Sequence, residues 1–231
     1  LKKVLSLGFK PNKIVYSGVG KKFEELKFAI NKNILLINVE SESELKIIEK
    51  LAKKLKKKVN VGLRLNPNVD AKTNTKISTG RTQDKFGLNK VEIIKILSKF
   101  NNSKNIKFKC LSVHIGSQIT QNKPYDDVLI SINAILSKTK HKFEYVDLGG
   151  GMGIKYSKES KKLDYTRLST NIYKFAKKNN CKIIFEPGRS IVGNTAVLLT
   201  KIIYIKKTSN KKFIIIDAGM NDLIRPALYN S

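Results

Sequence analysis

Residues 185–194 read FEPGRSIVGN, and the apolar run that leads into them, CKIIFE (181–186), stops at Pro187-Gly188 with Glu186 and Arg189 on either side of the break. Proline and glycine suffice for a surface turn. A carboxylate at the last strand position and a guanidinium just past it have no place in such a turn, but they suit a strand that delivers charge to a ligand at its tip. Two further stretches have the same form. In SVHIGSQI (112–119), His114 is followed by Gly116 and Ser117, and in VDLGGGMGI (146–154), Asp147 is followed by Gly149, Gly150 and Gly151. Three glycines after a strand allow close backbone approach, and their N–H groups can form a nest for phosphate. They also make a tight turn, and both readings stand. Ser117 could donate to the same phosphate or serve as a turn residue. A histidine inside a strand is usually a hydrogen-bonded core residue; at a strand tip, before Gly-Ser, His114 reads better as a ligand-contacting group. His141, in SKTKHKFEY, falls in a connector and reads as surface.

The elements that must position these residues show as apolar runs alternating with segments of helical period. Strands are predicted at 13–18, 34–41, 59–67, 108–116, 143–150 and 182–188. Helices are predicted at 21–32, 43–55, 91–100, about 125–138 and about 164–178, with a long polar loop at 68–85. Phe23, Leu26, Phe28 and Ile30 would face the sheet from the first helix, and Leu45, Ile48, Leu51, Ala52 and Leu55 from the second. Near-continuous apolar strands separated by helices define a parallel α/β sheet. Other tips carry Ser17-Gly18, Glu40-Ser41, and Arg64 with Asn66, so the polar groups gather at the C-terminal ends of the strands, where α/β barrels build their sites. Six strands fall short of the eight of a closed barrel, so either the sheet is open or two strands are missing. After residue 190 the pattern changes. TAVLLTKIIYIKKT (195–208) and KKFIIIDAG (211–219) read as strands joined by a short link, the start of an antiparallel β-domain. The expected division is 1–193 and 194–231.

A chain of 231 residues, 41% hydrophobic, can bury one sizeable core, and it has no apolar run near the roughly 20 residues of a membrane span. The net charge of +28 invites a nucleic-acid reading. However, the excess is lysine spread along the whole chain, with Arg64, Arg81, Arg167, Arg189 and Arg225 as the arginines. Lys, Asn and Ile are abundant together, as compositional drift toward AT-rich codons would produce. The densest cluster, KKLKKKVN (53–60), suits a helix C-terminus, where cations meet the negative end of the dipole. Cys110 and Cys181 lie far apart in apolar runs, a pattern of reduced thiols in a cytoplasmic protein and neither a disulfide framework nor a metal site.

Together, SVHIGSQI, VDLGGGMGI, FEPGRSIVGN and IIDAGMNDLIRPALYNS resemble the diaminopimelate decarboxylases, pyridoxal-phosphate-dependent enzymes of the alanine-racemase-like fold type. IVYSGVGK, INVES and RLNPNVDAKT…ISTG…KFGL fit the same family in the same order. The resemblance implies a pyridoxal 5'-phosphate-binding (β/α)8 barrel followed by a β-domain. It also implies decarboxylation of meso-2,6-diaminopimelate to L-lysine and CO2, the last step of lysine biosynthesis, by a homodimer. By carry-over, Glu186 would keep the pyridine nitrogen protonated and His114 would stack on the ring. Ser117, Gly149, Gly150, Gly151 and the backbone at Gly188, after the strand-ending Pro187, would hold the phosphate. Arg189 would hold a substrate carboxylate, a role suited to its planar fork, and Arg225 and Tyr229 of RPALY would contact the substrate as well. The two charges flanking Pro187-Gly188 would then serve two different ligands.

The sequence departs from the family in three places. Nothing matches the motif of the Schiff-base lysine on the first barrel strand, so no catalytic lysine is assigned. The chain stops at Ser231, before the family's later Cys-Glu motif and cofactor-contacting tyrosine. TNTKISTG replaces the usual THPYISTG. The expectation is a fragment that begins inside the barrel and is inactive alone. The competing readings are a related decarboxylase of ornithine, arginine or carboxynorspermidine, against which RPALY argues, and a basic nucleic-acid-binding barrel, which gives no reason for the E-P-G-R pair.

Overall fold

The computed structural model describes residues 1–71, 73 and 77–229; the TNTKISTG departure falls partly on residues 74–76, outside the described residues. A short helix α1 (Lys2–Ser6) and a 3-10 turn lead into β1 (Val15–Tyr16). Strand–helix alternation then continues through α2 (Phe23–Asn31), β2 (Leu36–Val39), α3 (Glu42–Lys54), β3 (Val59–Leu65), α4 (Lys90–Lys99), β4 (Ile106–Val113), α5 (Lys123–Thr139), β5 (Tyr145–Asp147), α6 (Tyr165–Asn179) and β6 (Lys182–Ile184). The six strands pair in chain order, all parallel. Each returns through a helix, as a parallel neighbour requires. The sheet curls. Ser17, just past β1, donates to Glu186, just past β6, at 2.8 Å, and Asn38 on β2 reaches Asp147 on β5 at 2.9 Å, so the tips of distant strands face one another across an open barrel.

Helix ends follow their capping residues. Ser41 accepts from the Glu44 amide at the start of α3, Asn89 and Glu92 form a reciprocal capping box on α4, and Asp164 caps α6. Lys53 and Lys54 do occupy the last turn of α3. The core lies between sheet and helices, with Leu36, Ile37, Val39, Val61, Leu63, Leu111, Leu45, Ile48, Ile93 and Ile132 all buried. In α2 the inward face is Leu26, Ala29 and Ile30, whereas Phe23 is 49% exposed. Phe23 opens the helix in solvent and Phe28 is only half-buried, so of the expected stripe Leu26 and Ile30 alone are fully covered.

After α7 (Arg189–Val192) the chain forms an antiparallel hairpin, β7 (Ile202–Lys207) and β8 (Lys212–Ile216), and ends in α8 (Arg225–Tyr229). Residues 195–201, expected as strand, are not strand, because β8 is too short to pair with them. Cys110 is buried within β4, but Cys181 precedes β6 and is only half-buried. His141 is not a bland surface residue. Its Nε2 lies 3.1 Å from the Phe108 carbonyl, and its ring packs against Phe143 at 4.5 Å. No helix among the described residues is long and apolar enough to cross a membrane.

Candidate functional site

The C-terminal tips of the strands enclose a cavity of about 260 Å3 lined by Ser17, Gly18, Asn38, Arg64, Ser112, Val113, His114, Asp147 and Glu186. His114 follows β4 directly. Its Nδ1 accepts from the Gly150 amide at 3.1 Å, so Nε2 carries the proton of the neutral ring. Burial, and then the nearby Arg64 guanidinium, push its pKa below the usual histidine value, which favours that neutral form. Its carbonyl is held by the Thr79 hydroxyl at 2.7 Å and by Arg64 Nη2 at 3.4 Å. The main bond of Arg64 is to Glu40, at 2.6 Å in a nearly dry ion pair, and Glu40 also accepts from the Gly87 amide. The tip charges of β2 and β3 are therefore consumed by each other.

The glycine loop is fixed by packing from several sides. A Cβ on Gly150 would fall 2.2 Å from the Glu186 carbonyl, and one on Gly151 would fall 2.2 Å from the Gly116 carbonyl. The Gly149 amide donates to Asp147 at 2.9 Å, and the Gly149 carbonyl accepts from the Glu186 amide at 2.8 Å. The turn reading of the triple glycine holds, and the turn also brings the loop against the cavity residues His114 and Glu186. Gly149 and Gly150 spend their amides inward. Gly188 differs, with open space where its side chain would be. Pro187 is exposed, and Ser117 is half-buried with its amide bonded to the Ile77 carbonyl.

Glu186 lies two residues past β6 and turns its carboxylate toward Ser17 and Asp147. Arg189 turns elsewhere. Its Nη1 donates to Gln118 Oε1 at 3.0 Å, and its guanidinium lies 6.0 Å from the centre of the Tyr156 ring. Arg225 packs over the same Tyr156 ring at 4.3 Å and over Tyr229 at 5.2 Å. The structure thus gathers Arg189, Arg225 and Tyr229 on one aromatic platform, although Arg225 and Tyr229 lie outside the barrel in sequence. A cation over a tyrosine face is attracted by the ring quadrupole.

Sequence reasoning passed over four residues here. Tyr156 and Gln118 sit in loops without periodicity and are revealed only by their contacts. Asn38 looks like an interruption of a buried strand, and a polar residue at a core position was the available signal. Lys21 is buried, its side chain 2% exposed. Its ammonium donates to the Gly18 and Asn38 carbonyls and to Glu44, which uses its three donors and ties the β1 and β2 tips together.

The cavity's chemistry fits the cofactor the resemblance implies. It offers a carboxylate at one end, a neutral imidazole face, and a glycine-serine loop beside it, as a flat heteroaromatic ring carrying a phosphate requires. Residues 1–193 match the family model described as "Pyridoxal-dependent decarboxylase, pyridoxal binding domain". The chain belongs to this family, whose cofactor is pyridoxal phosphate. It is 41% identical over 227 residues to the diaminopimelate decarboxylase of Aquifex aeolicus, covering 97% of this chain and 54% of the relative. It superimposes on the crystal structure of the Helicobacter pylori diaminopimelate decarboxylase complexed with L-lysine with a TM-score of 0.93 at 38% identity, covering all of this chain and 58% of that one. A lysine decarboxylase from Selenomonas ruminantium, with a TM-score of 0.80 at 20% identity, shares the fold. The chain spans about half the length of the curated relatives it matches.

Proposed function

We propose that this chain forms the cofactor-binding part of an enzyme that decarboxylates meso-2,6-diaminopimelate to L-lysine and CO2, the last step of lysine biosynthesis. The observation that carries the reading is the separation of Glu186 from Arg189, which lie three residues apart and turn to different partners, one into the barrel mouth and one toward Arg225. Pyridoxal phosphate, when bound, supplies an electron sink for the pair left behind when CO2 departs. Glu186 holds a proton on the pyridine nitrogen, and His114 presents its neutral face to the ring. Ser117, the loop of Gly149, Gly150 and Gly151, and the backbone at Gly188 after Pro187 hold the phosphate, with Gly149 and Gly150 shaping the loop through their inward bonds. Arg189, Arg225 and Tyr229 bind the substrate, with the arginine forks suited to its carboxylates.

Residues 1–193 are the barrel and 194–231 the opening of a β-domain. The enzyme works in the cytoplasm as a homodimer. RPALY (225–229), gathered with Arg189 around Tyr156, favours diaminopimelate over ornithine, arginine or carboxynorspermidine, because only diaminopimelate carries a carboxylate at its second end for an arginine to hold. The test is CO2 release from these substrates by a chain of the relatives' full length containing this sequence. Preference for meso-diaminopimelate is expected, and faster turnover of ornithine or arginine overturns the assignment.

A further inference from the structure

Asp147 has no part in the scheme above, yet it is the most buried acid of the cavity, 1% exposed, at the last position of β5. Its Oδ1 accepts from the Gly149 amide and its Oδ2 from Asn38 Nδ2, each at 2.9 Å. The same Asn38 nitrogen lies 3.1 Å from Ser17 Oγ, and Ser17 donates to Glu186 Oε1 at 2.8 Å. Asn38 is itself 2% exposed, and its side-chain oxygen Oδ1 has no hydrogen-bond partner, sitting over Gly62 where any larger residue would collide with it. Leaving a buried acceptor unsatisfied is costly. What the arrangement gains is an amide that aims both its hydrogens at the site, one toward each branch of the network. Asp147 and Glu186 also line the same cavity, and the Glu186 charge raises the Asp147 carboxyl.

A buried carboxyl that faces a second carboxylate resists ionisation, because the neighbouring charge and the dry site both oppose its own charge. We propose that Asp147 is a positioning residue for Glu186: it carries a proton in the same cavity, and through Asn38 and Ser17 it keeps the Glu186 carboxyl aimed into that cavity. In this arrangement the proton sits on Asp147, while Ser17 donates to Glu186. Burial comes first, and the Glu186 charge second, in pushing the Asp147 carboxyl up to about 7. The hydrogen bonds from Gly149 and Asn38 act in the opposite direction. The groups facing Asp147 are Glu186 beyond β6, Cys110 on β4, Asn38 on β2 and Ser17 beyond β1, with Arg64 and His114 lining the same cavity. Cys110 is itself pushed well above its ordinary value by burial and stays a neutral thiol, so Glu186 is the charge that Asp147 meets.

The inference deepens the proposed role of Glu186 but can fail separately from it. The experiment is an infrared pH titration of the 231-residue chain, following the C=O stretch of a protonated carboxyl group from about pH 5 to about pH 9. A band that disappears near pH 7 is expected, and it should be missing in Asp147→Asn. In Glu186→Gln the like charge is gone, and the carboxyl's proton affinity should fall at least about tenfold. In Asn38→Ala the bond to the ionised form is lost, and the midpoint should rise. Glu186 is exposed, so Glu186→Gln decides the matter even if the Asp147 variant does not fold. A band that persists in Asp147→Asn, or one unmoved by Glu186→Gln, overturns the proposal. Whether Glu186 meets the cofactor is read from the 15N shift of pyridoxal 5'-phosphate bound to the chain. An unprotonated ring nitrogen, with the titration behaving as expected, removes the cofactor role and leaves the carboxyl pair standing.

Discussion

Two acid–arginine combinations sit at strand tips in this barrel, and they are built differently. Glu40 and Arg64 come from neighbouring strands, face each other at 2.6 Å and are nearly dry. Glu186 and Arg189 are three residues apart in the chain, yet Glu186 turns to Ser17 and Arg189 to Gln118. In the first pair the charges cancel and the product is structure: Arg64 also steadies the backbone of His114. In the second, each charged side chain is held by a neutral partner, and neither is bonded to the other. Proximity in sequence says little about whether two charges neutralise each other, whereas their hydrogen-bond partners do.

The largest effect should come from breaking the pair that is only structural. Arg64→Ala strands Glu40 in a dry site and should cost about 3–5 kcal/mol of unfolding free energy, measured by urea denaturation. A loss below about 1 kcal/mol would show that water reaches Glu40 and that the two pairs are not so different.

Arg225→Lys comes next. It keeps the charge but loses the planar fork, and in a full-length enzyme it should cost about 2–4 kcal/mol in kcat/KM for diaminopimelate with cofactor affinity unchanged. Equal loss of cofactor retention and turnover would place Arg225 with Arg64, as a group that orders its loop.

Glu186→Gln should retain cofactor and lower kcat about 10²-fold, as when one electrostatic stabiliser is removed. Unchanged kcat with intact cofactor spectra would make Glu186 structural too.

Smallest for any one pH unit, the last effect sharpens the comparison through pH. The Asp147 carboxyl is raised in the folded protein, so the folded state holds a proton that the unfolded chain has released, and the stability this brings is full below about pH 4 and lost as pH rises through about 7. Over that window the wild type should lose up to about 1.4 kcal/mol per pH unit relative to Asp147→Asn. Parallel stability–pH curves for the two proteins would mean that Asp147 is ionised throughout.

The parallel strand–helix alternation was legible because buried strands and amphipathic helices carry different periods, and α2 to α6 lie within a few residues of their predicted spans. Strand tips were read too long. The run 13–18 pairs only at Val15–Tyr16, and 182–188 only at Lys182–Ile184, so the polar and glycine residues at each tip fall outside the paired strand. His114, Ser117, the glycines, Glu186 and Arg189 stood out as candidates because they follow apolar runs at the ends of strands. Tyr156, Gln118 and Asn38 carried no such mark.

Local chemistry was therefore determined by the sequence alone: where the chain turns, which residues end each strand, and which of them can carry charge or a proton. Residue types and their spacing act within a few positions, and that range is enough for a cap, a turn or an apolar face. Only the tertiary structure decided which charge meets which. Glu40 was given to Arg64, Asp147 was set against Glu186, and Arg189 and Arg225 were brought to one tyrosine ring. Those outcomes depend on how far the sheet curls, and curl accumulates over six strands whose register no single stretch of sequence encodes.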